Sequence, residues 1–233
     1  MQELYKDVHH YKDNDFESPK EHFKFVANII ENIINPQEGF SILDVGCAKG
    51  EFLYYLKKRF KDQDVFLTGV DFSQTLIDLA KKFKGLYGIE LYQGLAESFN
   101  LERKFDVITA TGLISCYDDY EILIDNLLRH LTENGMLIIT NGFSTSEYDM
   151  IMRYRRYDNK ENIMYGWNQH SIPGIKNYIE QKGKTLTPYK FELPFAMKPQ
   201  EDTVRSWTID TNEGQKFSNG LNLIWNIWSL VIK

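Results

Sequence analysis

The sequence predicts an α/β fold: a doubly wound, mostly parallel sheet of seven strands with helices on both faces. Three observations point there. Short apolar runs alternate with segments of helical periodicity from residue 40 to residue 140, two of those runs end in a glycine or an aspartate that opens a helix, and no biased or repeated stretch breaks the chain. Such alternation folds as right-handed strand-helix-strand crossovers, which make the strands parallel and bury them on both faces.

Taken in order, residues 21–34 space Phe23, Val26, Ile29, Ile30, Ile33 and Ile34 three and four apart between Ser18-Pro19 and Asn35-Pro36, the pattern of a capped amphipathic helix. Residues 41–45 form the first strand, closed by Gly46, with a helix over 51–60; residues 65–70 form the second, closed by Asp71, with a helix from about 73 to 83. Strands three and four come next at 89–93 and 105–110, then a helix at 120–131 and a fifth strand at 135–140 behind the turn pair Asn134-Gly135. After Asn141 the regularity weakens. Residues 144–170 are polar and aromatic and read as an insertion over the carboxyl ends of the strands; 173–181 is a last helix, 186–195 and 221–232 the last strands, and 197–220 a loop or a small excursion. One domain over 1–233 is expected, with a lid at 1–20 and the insertion as its substrate-binding part.

The bulk properties exclude several classes. A net charge of −6 gives no global field for nucleic acid. The start is charged throughout and lacks the apolar core of a secretion signal. The run 221–232 is shorter than the roughly 20 residues that span a bilayer. A cytoplasmic protein without a membrane or nucleic-acid partner is expected, of an oligomeric state that the sequence does not specify. Cys47 and Cys116 each fall in a predicted strand or its exit, against a disulfide framework, and no H-E-x-x-H, C-x-x-C or carboxylate cluster suggests a metal.

The chemistry concentrates in Ile42-Leu43-Asp44-Val45-Gly46-Cys47-Ala48-Lys49-Gly50. A strand ending in a glycine turn that opens a helix brings backbone N–H groups close to a nucleotide-like ligand. Ala48 and Glu51 stand where a G-x-G-x-x-G pattern needs other residues, so the pyrophosphate fingerprint is incomplete. Asp71 closes the second strand, where two carboxylate oxygens match the two hydroxyls of a ribose.

These residues resemble the class I S-adenosylmethionine-dependent methyltransferases, a Rossmann-like family. Its first motif is similar to Asp44 through Gly50, its second acidic position to Asp71, its adenine loop to Gln93-Gly94-Leu95-Ala96-Glu97, and its fourth and fifth strands to Phe105-Asp106-Val107-Ile108 and Leu137-Ile138-Ile139. Leu95 stands where the family often carries an acid. The resemblance implies S-adenosyl-L-methionine as cofactor, with its methionine end along Asp44, Gly46, Cys47, Ala48 and Gly50. It further implies the ribose on Asp71, the adenine beside Phe72, Ala96 and Glu97, and the segment with Thr109 and Thr111 beneath the methyl group. Replacing Asp71 by alanine is then expected to abolish cofactor binding and spare the fold. The tryptophan-rich last strand and the length also resemble methyltransferases encoded with bacterial surface-polysaccharide genes, including those that O-methylate capsular phosphoramidate.

Acceptor recognition is expected from the amino-terminal segment, the insertion and the loop at 197–220. Arg153 and Arg156, with Arg155 and the aromatics Tyr148, Tyr154, Tyr157, Tyr165 and Trp167, suit a phosphate or carboxylate beside an apolar or sugar body; Lys198 and Arg205 add to a positive rim. The same arginines equally suit a solvated face. Tyr11 and His9 lie in the lid, and His170 is the better-placed candidate base, with His9 second. The expected partner is a small anionic metabolite. An NAD-dependent oxidoreductase, an RNA methyltransferase and a non-catalytic cofactor-binding subunit stay open as other readings.

Overall fold

The computed structural model describes residues 16–34, 39–199, 201 and 203–233. His9, Tyr11 and most of the lid at 1–20 therefore lie outside the described residues. Helix α1 (Glu21–Ile33) precedes β1 (Phe40–Val45), α2 (Glu51–Arg59), β2 (Val65–Asp71), α3 (Gln74–Lys82), β3 (Glu90–Gln93), β4 (Phe105–Thr111), α4 (Glu121–Arg129) and β5 (Leu131–Phe143). The chain continues through β6 (Arg153–Tyr154), β7 (Met164–Tyr165), α5 (Ile172–Gln181), β8 (Leu186–Phe191), β9 (Trp207–Thr211), β10 (Gly214–Ser218) and β11 (Ile224–Ile232).

The main sheet runs β3-β2-β1-β4-β5-β11-β10-β9, with β8 also on β11. Strands β1 to β5 pair parallel, and β11 lies antiparallel to β5 from Asn226 against Phe143 to Ile232 against Leu137. This is a Rossmann-like, doubly wound fold. Adjacent strand residues feed opposite cores. Ile42, Val107, Ile138 and Val231 pack with α1, α2 and α3 on one face, while Leu43, Ile108, Ile139 and Leu230 pack with α4 and α5 on the other. Each such side chain, fully buried, contributes about 1.5–3 kcal/mol of transfer free energy, and the central strands accordingly read as continuous apolar runs.

The structure departs from the expected layout in three places. Nine strands form the main sheet rather than seven, because the stretch expected as a loop folds into the β9–β10 hairpin. Gly214 (φ 96°) supplies the left-handed residue, and the Thr211 hydroxyl donates to the Gly214 carbonyl at 2.7 Å. Strand β5 begins at Leu131, before Asn134-Gly135. These two residues fall in a register shift between Phe105 and Val107 rather than a turn, and a Cβ on Gly135 would come 2.9 Å from the Phe105 carbonyl. Strand β8 stops at Phe191, and its Pro188 is tolerated because β8 pairs with β11 alone. The insertion at 144–170 holds the short β6–β7 pair. No helix of the described residues is long and apolar enough to cross a membrane.

Candidate cofactor and acceptor site

The strand order places β1 beside β4, the point where the sheet's winding reverses and where open α/β sheets bind ligands at the carboxyl ends of their strands. The turn after β1 is tightly wound. Gly46 (φ 78°), Ala48 (φ 50°) and Gly50 (φ 84°) are all left-handed, and Gly50 is the N-cap of α2. Ala48 is a non-glycine residue in that region, a local strain of the kind that gathers at functional sites. The turn's N–H groups are largely spoken for. Gly46 and Cys47 donate to the Val70 carbonyl at 2.8 and 3.1 Å, Gly50 donates to the Cys47 carbonyl at 2.8 Å, and Ala48 donates to Asp71 Oδ2 at 2.9 Å. The expected row of free amides thus becomes a low, side-chain-poor ledge beside the N-terminus of α2. Burial pushes the Cys47 thiol well above its ordinary range, so it packs rather than reacts.

Carboxylates crowd this ledge. Asp44 is buried at the end of β1 and accepts the Thr109 hydroxyl at 2.8 Å. Burial, with Asp71 and Glu51 as like-charged neighbours, raises its pKa to about 7. Asp71 is also buried and raised, chiefly by burial; its Oδ1 accepts the Ser73 N–H at 2.9 Å while Oδ2 takes Ala48. Each oxygen keeps a second lone pair for a ligand, but the carboxylate also pins the turn to the start of α3. Asp71 is therefore part of the turn's own framework as well as a candidate cofactor contact, which weighs against the expectation that its removal would spare the fold. Buried Lys49 lies 3.9 Å from Glu51, whereas Asp44 and Asp71, both raised chiefly by burial, are what a cationic ligand would relieve, and the ammonium and sulfonium of the implied cofactor fit them.

The remaining cofactor candidates stand on the neighbouring strand ends and loops. Phe72 is half-buried, and its carbonyl accepts Gln93 Nε2 at 2.9 Å. Ala96 is buried, its carbonyl held at 2.9 Å by Asn126 Nδ2; Glu97 accepts the Tyr117 hydroxyl at 2.7 Å, and the Leu95 side chain is exposed. Thr109 is buried, and Thr111 ends β4 at the rim.

Beyond Thr111 and Gly112 opens a cavity of about 540 Å³, within the range that holds a metabolite. A Cβ on Gly112 (φ 73°) would meet nothing within 4 Å, and β4 pairs with β1 so that Thr109 stands opposite Asp44, two and three residues before Thr111 and Gly112 on the cavity lining. Its walls come from α1 (His22), the ends of β4 and β5, the insertion (Met152, Tyr154, 165–169), the segment 204–206, and β11 with the residues before it (Leu223, Trp225). Trp225 lies over Gly142, where a Cβ would stand 2.7 Å from indole Cδ1. Lys20 and Arg205 stand on the lining; burial lowers the Lys20 pKa, with Glu51 pulling the other way and Arg205 and Lys49 adding to the lowering.

Several predicted residues are elsewhere. His170 is fully buried behind the cavity, with its Nε2 3.0 Å from the Tyr117 carbonyl and its Nδ1 3.7 Å from Asp149; it fastens the insertion and does not reach the acceptor side. Arg153 pairs with Asp118 and lies over the Tyr165 ring, Arg156 makes a two-pronged pair with exposed Asp158, and the Tyr157 side chain is 89% exposed. None of these three lines the cavity. Of the two residues expected to add to a positive rim, Arg205 is on the cavity lining and Lys198 is not. Lys20, His22 and Trp225 escaped sequence reasoning because a helix start and a strand residue carry no motif.

Residues 43–137 match the family model described as a methyltransferase domain. Among curated proteins the chain is 26% identical over 131 residues to a malonyl-[acyl-carrier protein] O-methyltransferase of Bacillus anthracis, covering 56% of this chain and 47% of that one. It is 25% identical over 207 residues to a carboxy-S-adenosyl-L-methionine synthase of Campylobacter jejuni, covering 74% and 83%. The chain spans about half the length of the first of these relatives. Among solved structures, an S-adenosylmethionine-dependent methyltransferase of Clostridium acetobutylicum superposes with a TM-score of 0.56 at 15% identity, over 99% of this chain and 96% of that one, a likeness of fold. These matches identify residues 43–137, which hold most of the ledge and its carboxylates, as similar to a methyltransferase domain.

Proposed function

We propose that the chain transfers a methyl group from S-adenosylmethionine to a small-molecule acceptor held in the cavity beyond Gly112. The observation that carries this reading is a neighbourhood: Asp44, in a carboxylate-rich ledge suited to a cationic nucleoside, stands opposite Thr109, and two and three residues further on Thr111 and Gly112 line a cavity of metabolite size. The cofactor supplies an activated methyl group on a sulfonium, a good leaving group. What remains for the protein is alignment and exclusion of water. In this reading Asp44 pairs with the methionine ammonium, Gly46 to Gly50 lie along the methionine, Asp71 holds the ribose, and Phe72, Ala96 and Glu97 flank the adenine. Thr109 fixes the Asp44 carboxylate, and Thr111 borders the transfer path.

The acceptor is proposed to be a sugar- or phosphate-containing metabolite of surface-polysaccharide synthesis methylated on oxygen, a phosphoramidate being one example. Support comes from the resemblance in sequence and from the cationic, aromatic-walled cavity. The incomplete glycine fingerprint disfavours a dinucleotide, and the net charge of −6 disfavours RNA. Calorimetry with S-adenosylhomocysteine against NADH, followed by a labelled-methyl assay on fractionated phosphorylated and sugar-nucleotide metabolites, tests the proposal. Binding of NADH in preference to S-adenosylhomocysteine would overturn it.

A further inference from the structure

We propose that the acceptor enters as an anion and is methylated on the anionic oxygen itself, a carboxylate or a phosphoryl oxyanion carried on an apolar or aromatic body. This rests on the methyl-transfer reading of the site and adds the substrate class to it. Three features of the cavity carry it.

The first is the sign of its charge. Among the described residues that line it, Lys20, His22 and Arg205 are the groups able to carry positive charge, and no aspartate or glutamate is present. The carboxylates of the neighbourhood, Asp44, Glu51 and Asp71, gather instead at the ledge. A cation-bearing mouth without carboxylates attracts anions and repels protonated amines.

The second is the want of a good histidine base among the described residues. A neutral alcohol or amine acceptor must lose a proton during transfer, and a general base serves that purpose. His22 is the imidazole on the lining; its ring packs edge-on against Phe23 and Phe191, and burial together with Lys20 lowers its pKa to about 3, leaving a feeble base. His170, the histidine expected to serve, is held at the Tyr117 carbonyl behind the wall. An acceptor that arrives ionised needs neither. As its oxygen forms the new C–O bond, the C–S bond breaks and the electron pair stays on sulfur. An anion and a sulfonium cation thus become a neutral or less charged ester and a neutral thioether, and no proton moves.

The third is the wall. Trp225, Trp167, Leu223, Ile227 and Met152 give the cavity an apolar lining. Collapse of opposite charges is favoured where water is excluded, and the same aromatic faces hold a planar or apolar body.

The test uses the full chain and benzoate, phenyl phosphate, benzyl alcohol and benzylamine as probes of nearly one skeleton. S-adenosylhomocysteine affinity is measured first; its absence would refute the cofactor site, independently of the acceptor's charge. Quenching of tryptophan fluorescence is then titrated with each probe. The anions are expected to bind about 10- to 100-fold more tightly than the alcohol, as a charge-assisted contact implies. That preference should vanish in a Lys20→Met/Arg205→Met double variant which still binds S-adenosylhomocysteine. Labelled methyl transfer should mark the anions: a carboxyl ester releases volatile methanol in alkali, and a phosphate methyl ester does not, which tells the two sources apart. Equal or tighter binding of the neutral probes, a preference that survives the double variant, or label on the alcohol or amine, or on no probe at all while S-adenosylhomocysteine binds, overturns the proposal.

Discussion

At the ledge after β1, three carboxylates share one electrostatic neighbourhood and one of them stays protonated to about pH 7, whereas the cavity beyond Gly112 is lined by Lys20, His22 and Arg205 without a carboxylate among its described residues. The two regions also differ in how the chain builds them. The ledge is assembled from strand ends and the turns directly after them, each tied by backbone hydrogen bonds, so its geometry is set by the parallel sheet. The cavity borrows from α1, β5, the insertion, the segment 204–206 and β11, which meet only through tertiary packing. Damage to the ledge should therefore disturb folding and cofactor together, while damage to the cavity should leave both intact.

The largest effect that would sharpen this contrast is at Asp71. Alanine there strands the Ala48 and Ser73 N–H groups, each unpaired buried donor costing about 1–3 kcal/mol, and removes the ribose contact. Urea unfolding should show the loss of stability and calorimetry a loss of S-adenosylhomocysteine binding. A variant of native stability would mean that the carboxylate is not the pin described. Next comes Gly50→Ala. With φ at 84° and Leu86 Cδ1 2.7 Å from the added Cβ, left-handed strain of about 1–2 kcal/mol adds to a displaced leucine. Circular-dichroism melts should register it.

A smaller effect is expected at Asp44, whose ionised form is the one that would pair with the methionine ammonium under the proposed function. With a pKa of about 7 in the ligand-free protein, the ionised fraction and the cofactor affinity should rise about tenfold from pH 6 to pH 8. Asp44→Asn should bind weakly and show a flat profile. Because the folded value lies above the unfolded 3.8, ionisation of this group opposes folding progressively as pH climbs from about 4 to 7, and the ligand-free protein should lose that part of its stability over the same window. An affinity that falls with pH would contradict the assignment. Smallest of all is Arg156→Ala. Its partner Asp158 is two residues away on the surface and neither lines the cavity, so acceptor KM should change by less than about twofold. A large rise would move the acceptor site onto the outer face of the insertion.

Much of the sheet and of the ledge was legible in the chain because they depend on local signals. Gly46, Asp71 and the apolar runs of β1, β2 and β4 announce themselves by type and spacing, and the structure brings all three strand ends together. The β9–β10 hairpin was not legible, since its strands are polar and half-exposed and its turn, Asn212-Glu213 ahead of Gly214, is a quiet one. Arginine and tyrosine in the insertion drew attention by composition. Composition does not report direction, and Arg153 and Arg156 spend their charge on Asp118 and Asp158. His170 misled for a related reason: a histidine in a predicted substrate segment is as easily a buried strut as a proton acceptor, and only tertiary packing separates the two.

Gly142 and Trp225 show how such an architecture diversifies. The indole occupies the space that a side chain at 142 would claim, so a single change from glycine to alanine would tilt that ring and reshape the chamber while the nucleoside ledge, built from other segments, kept its form. Under the proposed function, acceptor preference would thus be open to change at one β5 position without touching the segments proposed to hold the donor.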